Sequence, residues 1–134
     1  MAQQARDPFI EQLLARMTLE QKIGQFNHPL TGGGDTTGAG AGSGNIEQRI
    51  ARGEVGGVAG GAEPQQLREW QRIACEQTDA KIPLLFTMDV IHGHRTIFPL
   101  PLGLAGSFDA ELIRATARVA AREATAEGIT LTWA

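Results

Sequence analysis

Ile82-Pro83-Leu84-Leu85-Phe86-Thr87-Met88-Asp89-Val90-Ile91-His92-Gly93-His94-Arg95 passes from an apolar run to a cluster of ionisable side chains with no spacer between them. A continuous apolar run of this length after a turn predicts a strand over 82–88, buried on both sides. Asp89 then stands at the strand's C-terminal end, the lip where ligands bind in barrels and open α/β sheets. One aspartate, two histidines and an arginine fall between 89 and 95, and Phe98-Pro99-Leu100-Pro101-Leu102-Gly103-Leu104 continues as a loop punctuated by Gly and Pro.

Outward from this segment, strand and helix signals alternate. Upstream, Pro64 opens a helix whose Leu67, Trp70, Ile73, Ala74 and Gln77 share one face, preceded by a short buried strand over 55–59. Glycines 56 and 57 in that strand mark close backbone approach. Downstream, Asp109 caps a helix with Leu112, Ile113, Thr116, Ala117, Ala120 and Ala124 as its stripe, and Gly128 ends it. A third strand is expected over 129–133.

The lead-in is helical. Asp7-Pro8 starts one helix carrying Phe9, Ile10, Leu13, Leu14 and Met17, and Thr18-Leu19-Glu20-Gln21 is a capping box that opens a second, with Ile23 and Phe26. Residues 31–44 read as a Gly-rich surface loop, and Asn45 caps a short helix through Ile46 and Ile50, closed by Gly53.

The organisation expected is therefore a lead-in over 1–53 and a β-α-β-α-β unit over 54–134. That order predicts an α/β fold of parallel, right-handed βαβ units. Pattern alone does not separate a doubly wound sheet from a (β/α)₈ barrel. A barrel takes about 250 residues, so this chain would supply about three of its eight strands. It ends on an apolar strand without a cap, which reads as a cut edge and leaves self-association through uncovered strand edges open.

Composition narrows the function classes. Twelve Lys and Arg against 15 Asp and Glu give a net charge of −3, with no electrostatic reason for nucleic acid or an anionic membrane as partner. The single cysteine, Cys75, lies in a helical pattern and is expected to be a small, buried or half-buried apolar residue. The N-terminus lacks a basic start and an apolar core, so no export signal is read and the compartment stays open.

Each site residue has a bland reading beside the functional one. Asp89 could bind a ligand, or it could pair with Arg95 or cap loop amides. His92 and His94 could tie the loop to backbone groups, or as His-x-His hold a metal, although the third histidine, His28, lies in the lead-in. The Gly-rich loop lacks any phosphate-cradle phasing, and Ser107 has no nucleophile-elbow pattern. Trp70 and Trp133 read as core, with Trp133 within reach of a pocket at the third strand's end.

Three stretches carry a family resemblance. Leu14-Ala15-Arg16-Met17-Thr18-Leu19-Glu20-Gln21-Lys22-Ile23-Gly24-Gln25 resembles the opening of glycoside hydrolase family 3 β-glucosidases. Residues 82–94 with Thr96-Ile97-Phe98-Pro99 resemble a second landmark, and Glu123-Ala124 through Gly128-Ile129-Thr130-Leu131-Thr132-Trp133-Ala134 a third. The resemblance spans essentially the whole chain, in the family's order.

It implies the first part of a (β/α)₈-like barrel and retaining hydrolysis of terminal β-D-glucosyl residues through a covalent glycosyl-enzyme, with no metal or organic cofactor. Members are often periplasmic or secreted. Asp89 matches the aspartate that hydrogen-bonds hydroxyls of the non-reducing-end sugar of a β-glucoside or oligosaccharide, and His92, His94 and Arg95 match the loop beside it. The nucleophilic aspartate and the acid/base glutamate would lie beyond position 134, so this stretch alone is expected to be inactive. A non-catalytic sugar-binding or assembly module, and a metal-dependent hydrolase using His92 and His94, are the competing expectations.

Overall fold

A computed structural model describes residues 7–30 and 45–133. In chain order the elements are α1 (Pro8–Arg16), α2 (Leu19–Gly24), α3 (Ile46–Ala51), β1 (Gly57–Ala59), α4 (Pro64–Gln77), β2 (Leu85–Met88), α5 (Pro101–Ala105), α6 (Ala110–Ala126) and β3 (Leu131–Thr132). The strands form one parallel sheet in the order β1-β2-β3. Val58 lies opposite Phe86, and Thr87 opposite Leu131. The expected parallel βαβ arrangement is present, with α4 and α6 as crossovers. The readings for 31–44 and for the first six residues fall outside the described residues.

Helix starts follow from side-chain acceptors. Asp7 accepts from the Phe9 amide at 2.8 Å, Asn45 from Glu47 at 3.0 Å, and Asp109 from Glu111 and Leu112, both at 3.0 Å. Thr18 and Gln21 exchange bonds with each other's backbone as the capping box requires. Each such cap is worth about 1 kcal/mol. α6 ends in a Schellman closure: Gly128, at φ 97°, donates to Thr125 O, and Ile129 donates to Ala124 O.

All three strands are shorter than expected, and donors already spent explain two of the differences. The Ile129 amide belongs to the α6 closure, so β3 starts only at Leu131. Pro83 has no N–H and the Leu84 amide goes to the Gln71 side chain at 3.1 Å, so β2 starts at Leu85. The loop after β2 also contains α5, with Pro101 in its first turn, where no helix was expected.

The core lies on one face of the sheet. Val58, Phe86, Leu67, Trp70, Ile73, Ala74 and Ala124 pack together there, each large side chain contributing about 1.5–3 kcal/mol by burial. Trp70 also donates its indole N–H to Glu47 at 3.3 Å. The opposite face is only partly covered: Leu85 is 48% exposed and Leu131 39%, although Thr87 between them is buried. β2 is thus covered by helices on one side, while on the other Thr87 is buried against His28 and Leu85 stays exposed. Trp133, expected in the core, is 55% exposed at the end of β3.

The outer edge of β1 is occupied by the lead-in. Gly56 N–H donates to Asn27 O at 3.0 Å and Ala59 N–H to Pro29 O at 2.9 Å, and Leu30 forms a parallel bridge to Ala59. Glycine permits this approach: a Cβ on Gly57 would strike the His28 ring and, at 2.6 Å, Leu85 O.

Candidate functional site

Asp89 directly follows the last residue of β2. Its carbonyl accepts from the Thr132 hydroxyl of β3 at 2.7 Å, which fixes the backbone at the lip. Val90 has φ 51°, a left-handed conformation that a β-branched residue adopts only under strain. Such strain costs about 1–3 kcal/mol and concentrates at functional sites. The Asp89 side chain is exposed, and no hydrogen bond or ion pair to its carboxylate is found among the described residues.

The two bracing roles open to Asp89 in the sequence are taken by other acids. Glu127 holds His94 Nε2 at 2.7 Å and forms an ion pair with Arg95. Glu123 accepts from the Arg95 and Thr96 amides at 2.9 and 2.8 Å, and from the Thr96 hydroxyl at 2.6 Å. The Thr96 hydroxyl and then its amide hold the Glu123 carboxyl below the ordinary carboxylate range. Hydrogen bonds from Arg95 and then His94 do the same for Glu127, which in turn raises Arg95. Neither acid was singled out from the sequence, since both sit on a helix whose pattern shows only an exposed face.

The loop closes on itself through Phe98 N–H to His92 O at 2.7 Å. Gly93, at φ 115°, makes the turn, and a Cβ there would collide with Thr96 O. His94 is 9% exposed at its side chain and Arg95 66%. The Nδ1 atoms of His92 and His94 are buried without a hydrogen-bond partner among the described residues. Among the described residues no three His, Cys, Asp or Glu side chains stand together as metal ligands would, so the His-x-His reading finds no third ligand.

His28 was read only as part of the lead-in, yet it lies on the open face of the sheet. Its Nε2 is hydrogen-bonded to Thr87 Oγ1 at 2.9 Å, two residues before Asp89. The signal that could have found it is Gly57, whose missing side chain makes room for the ring. A separate recess of about 520 Å³ lies between the loop, α5 and α6, lined mainly by apolar groups such as Phe98, Leu104, Ile113 and Ala120. Asp89 does not line it, and an apolar wall offers little to sugar hydroxyls.

An exposed, unengaged carboxylate on a strand lip, beside a loop locked by other acids, is equipped to accept hydrogen bonds from a polar ligand. Residues 18–134 match the Glycosyl hydrolase family 3 N terminal domain. The chain belongs to that family. It is 39% identical over 131 residues to the periplasmic beta-glucosidase of Salmonella typhimurium, covering 98% of this chain and 16% of that protein. To the lysosomal beta glucosidase of Dictyostelium discoideum it is 28% identical, covering 93% of this chain and 18% of the relative. The structure is similar to the Listeria innocua beta-glucosidase solved with isofagomine, at a TM-score of 0.77 and 31% identity over 97% of this chain and 18% of that one. The same enzyme solved with glucose gives 0.76. The chain thus spans less than a fifth of these family 3 relatives' length.

Proposed function

We propose that these residues form the sugar-holding start of a retaining β-glucosidase, with Asp89 accepting hydrogen bonds from hydroxyls of the terminal β-glucosyl unit. The observation that carries this reading is the Asp89 carboxylate, exposed on the β2 lip with its backbone pinned by Thr132. Relatives solved with glucose and isofagomine support a carbohydrate ligand. The parallel strands are the first part of a (β/α)₈-like barrel whose interior is the open face bearing Leu85 and Leu131. The whole of 1–134 then belongs to one N-terminal barrel domain.

Retaining cleavage needs two carboxyl groups about 5–5.5 Å apart across the bond. Glu123 and Glu127 are committed to the loop, and Asp89 is a binding group, so the nucleophile and acid/base come from outside these residues. His92, His94 and Arg95 flank the sugar; of these Arg95 is the exposed one, its guanidinium Nε held by Glu127.

Glucose added to the isotope-labelled chain should shift amide resonances around residues 89–98, and Asp89→Ala, which removes the acceptor, should remove that response. Aryl-β-glucoside turnover by the 134-residue chain should be undetectable. A glucose response that survives Asp89→Ala would remove the sugar-binding role.

The open apolar face also favours a second reading, an assembly module whose partner supplies further strands. It predicts a cooperatively melting complex.

A further inference from the structure

Glu123 lies in the last turn of α6 and Glu127 is its C-cap, the end at which the helix dipole disfavours negative charge. No basic residue in that last turn offsets them. Their stabilisation comes instead from the loop after β2. Five bonds run from the two carboxylates to residues 94–96: two backbone amides, the Thr96 hydroxyl, the His94 ring and the Arg95 guanidinium. None goes to Asp89.

We infer that Glu123 and Glu127 are positioning residues for Asp89, a carboxylate clamp that sets the loop carrying it without touching the sugar. The inference rests on the sugar-binding reading of Asp89. Geometry links the two ends of the loop. Thr132 of β3 pins the Asp89 carbonyl, while α6, the helix leading directly into β3, grips residues 94–96. Between these anchors lie the strained Val90, packed against the edge of the core, and the Gly93 turn, closed by the Gly93–Val90 and His92–Phe98 bonds. Releasing the clamp frees one anchor and lets the carboxylate swing.

The clamp is also acid-labile. The charged and titratable groups around the two acids are His94 and Arg95 on the loop, with Glu63 acting on Arg95 from the segment before α4. Both carboxyls sit below their ordinary value of 4.5. Their contribution is therefore complete above that value and is lost as pH falls through the lowered ones.

Amide-exchange protection factors and glucose titration of the full 134-residue chain test the proposal together. Glu123→Ala should cut protection of the Arg95 and Thr96 amides by about tenfold or more, leaving Val58 and Phe86 unchanged. Glu123→Gln keeps an acceptor, so it should restore most of that protection and reduce its loss on acidification, with Glu127 still titrating. Glucose affinity should fall with Glu123→Ala and recover with Glu123→Gln. Unchanged protection at Arg95 and Thr96, or an equal loss throughout the core, would overturn the clamp. So would intact glucose affinity in Glu123→Ala. If the unsubstituted chain shows no glucose response, the sugar reading fails, and the exchange data alone still decide whether the clamp exists.

Discussion

Asp89 and Glu127 are both acids set against the loop after β2, but their surroundings differ. Glu127 is surrounded by donors and spends its lone pairs on His94 and Arg95; the Asp89 carboxylate is exposed and has no such partner among the described residues. The turn between them depends on Gly93, since any Cβ there meets Thr96 O and must also adopt φ 115°. Gly93→Ala is expected to release residues 94–96 from α6, abolishing slow exchange at the Arg95 and Thr96 amides while the Phe86 amide stays protected. Retained protection at both amides would show that the turn tolerates a side chain. The position of Asp89 was legible because an acid directly follows an apolar run. Its freedom from bracing was not, because the acids that relieve it lie on a helix far along the chain. Two acids at a helix C-terminus with no base in the last turn were the readable sign of that role, since such a placement favours partners elsewhere.

At the scale of elements, most starts and stops were written locally. Asp7, Thr18, Asn45 and Asp109 cap where the sequence places them, and Gly53 and Gly128 take positive φ as C-terminal stops do. Asp109→Ala removes the acceptor for two α6 amides, so a stability loss of about 1 kcal/mol is expected, read as a lower Tm in thermal unfolding. An unchanged Tm would mean that α6 is held by its packing alone. Strand lengths were overestimated because an apolar pattern does not reveal which amides are already used. The Gln71 side chain and the α6 closure claim the donors of Leu84 and Ile129. α5 was missed because Pro-Leu-Gly-Leu-Ala is too short to show a helical period.

For the molecule as a whole, the two faces of the sheet are unequal. Phe86, on the helix-covered face, is 4% exposed, whereas Leu85 is 48% exposed on the open one. Phe86→Ala should cost about 3–5 kcal/mol, enough to unfold a marginal domain. Leu85→Ser should cost about 1 kcal/mol or less and reduce self-association in sedimentation velocity; an unchanged size distribution would mean that this face does not drive association. Parallel βαβ order was legible from alternating periods, but the openness of one face was not, because an apolar run looks the same whichever layer covers it. That exposed face suits the proposed reading of the chain as part of the wall of a larger barrel. The most direct measurement is kcat/KM for an aryl-β-glucoside in a full-length β-glucosidase carrying these residues, with and without Asp89→Ala. Loss of a charged hydrogen bond worth about 1.5–3 kcal/mol should lower it by at least about tenfold. An unchanged kcat/KM would contradict the assignment of Asp89 to the sugar.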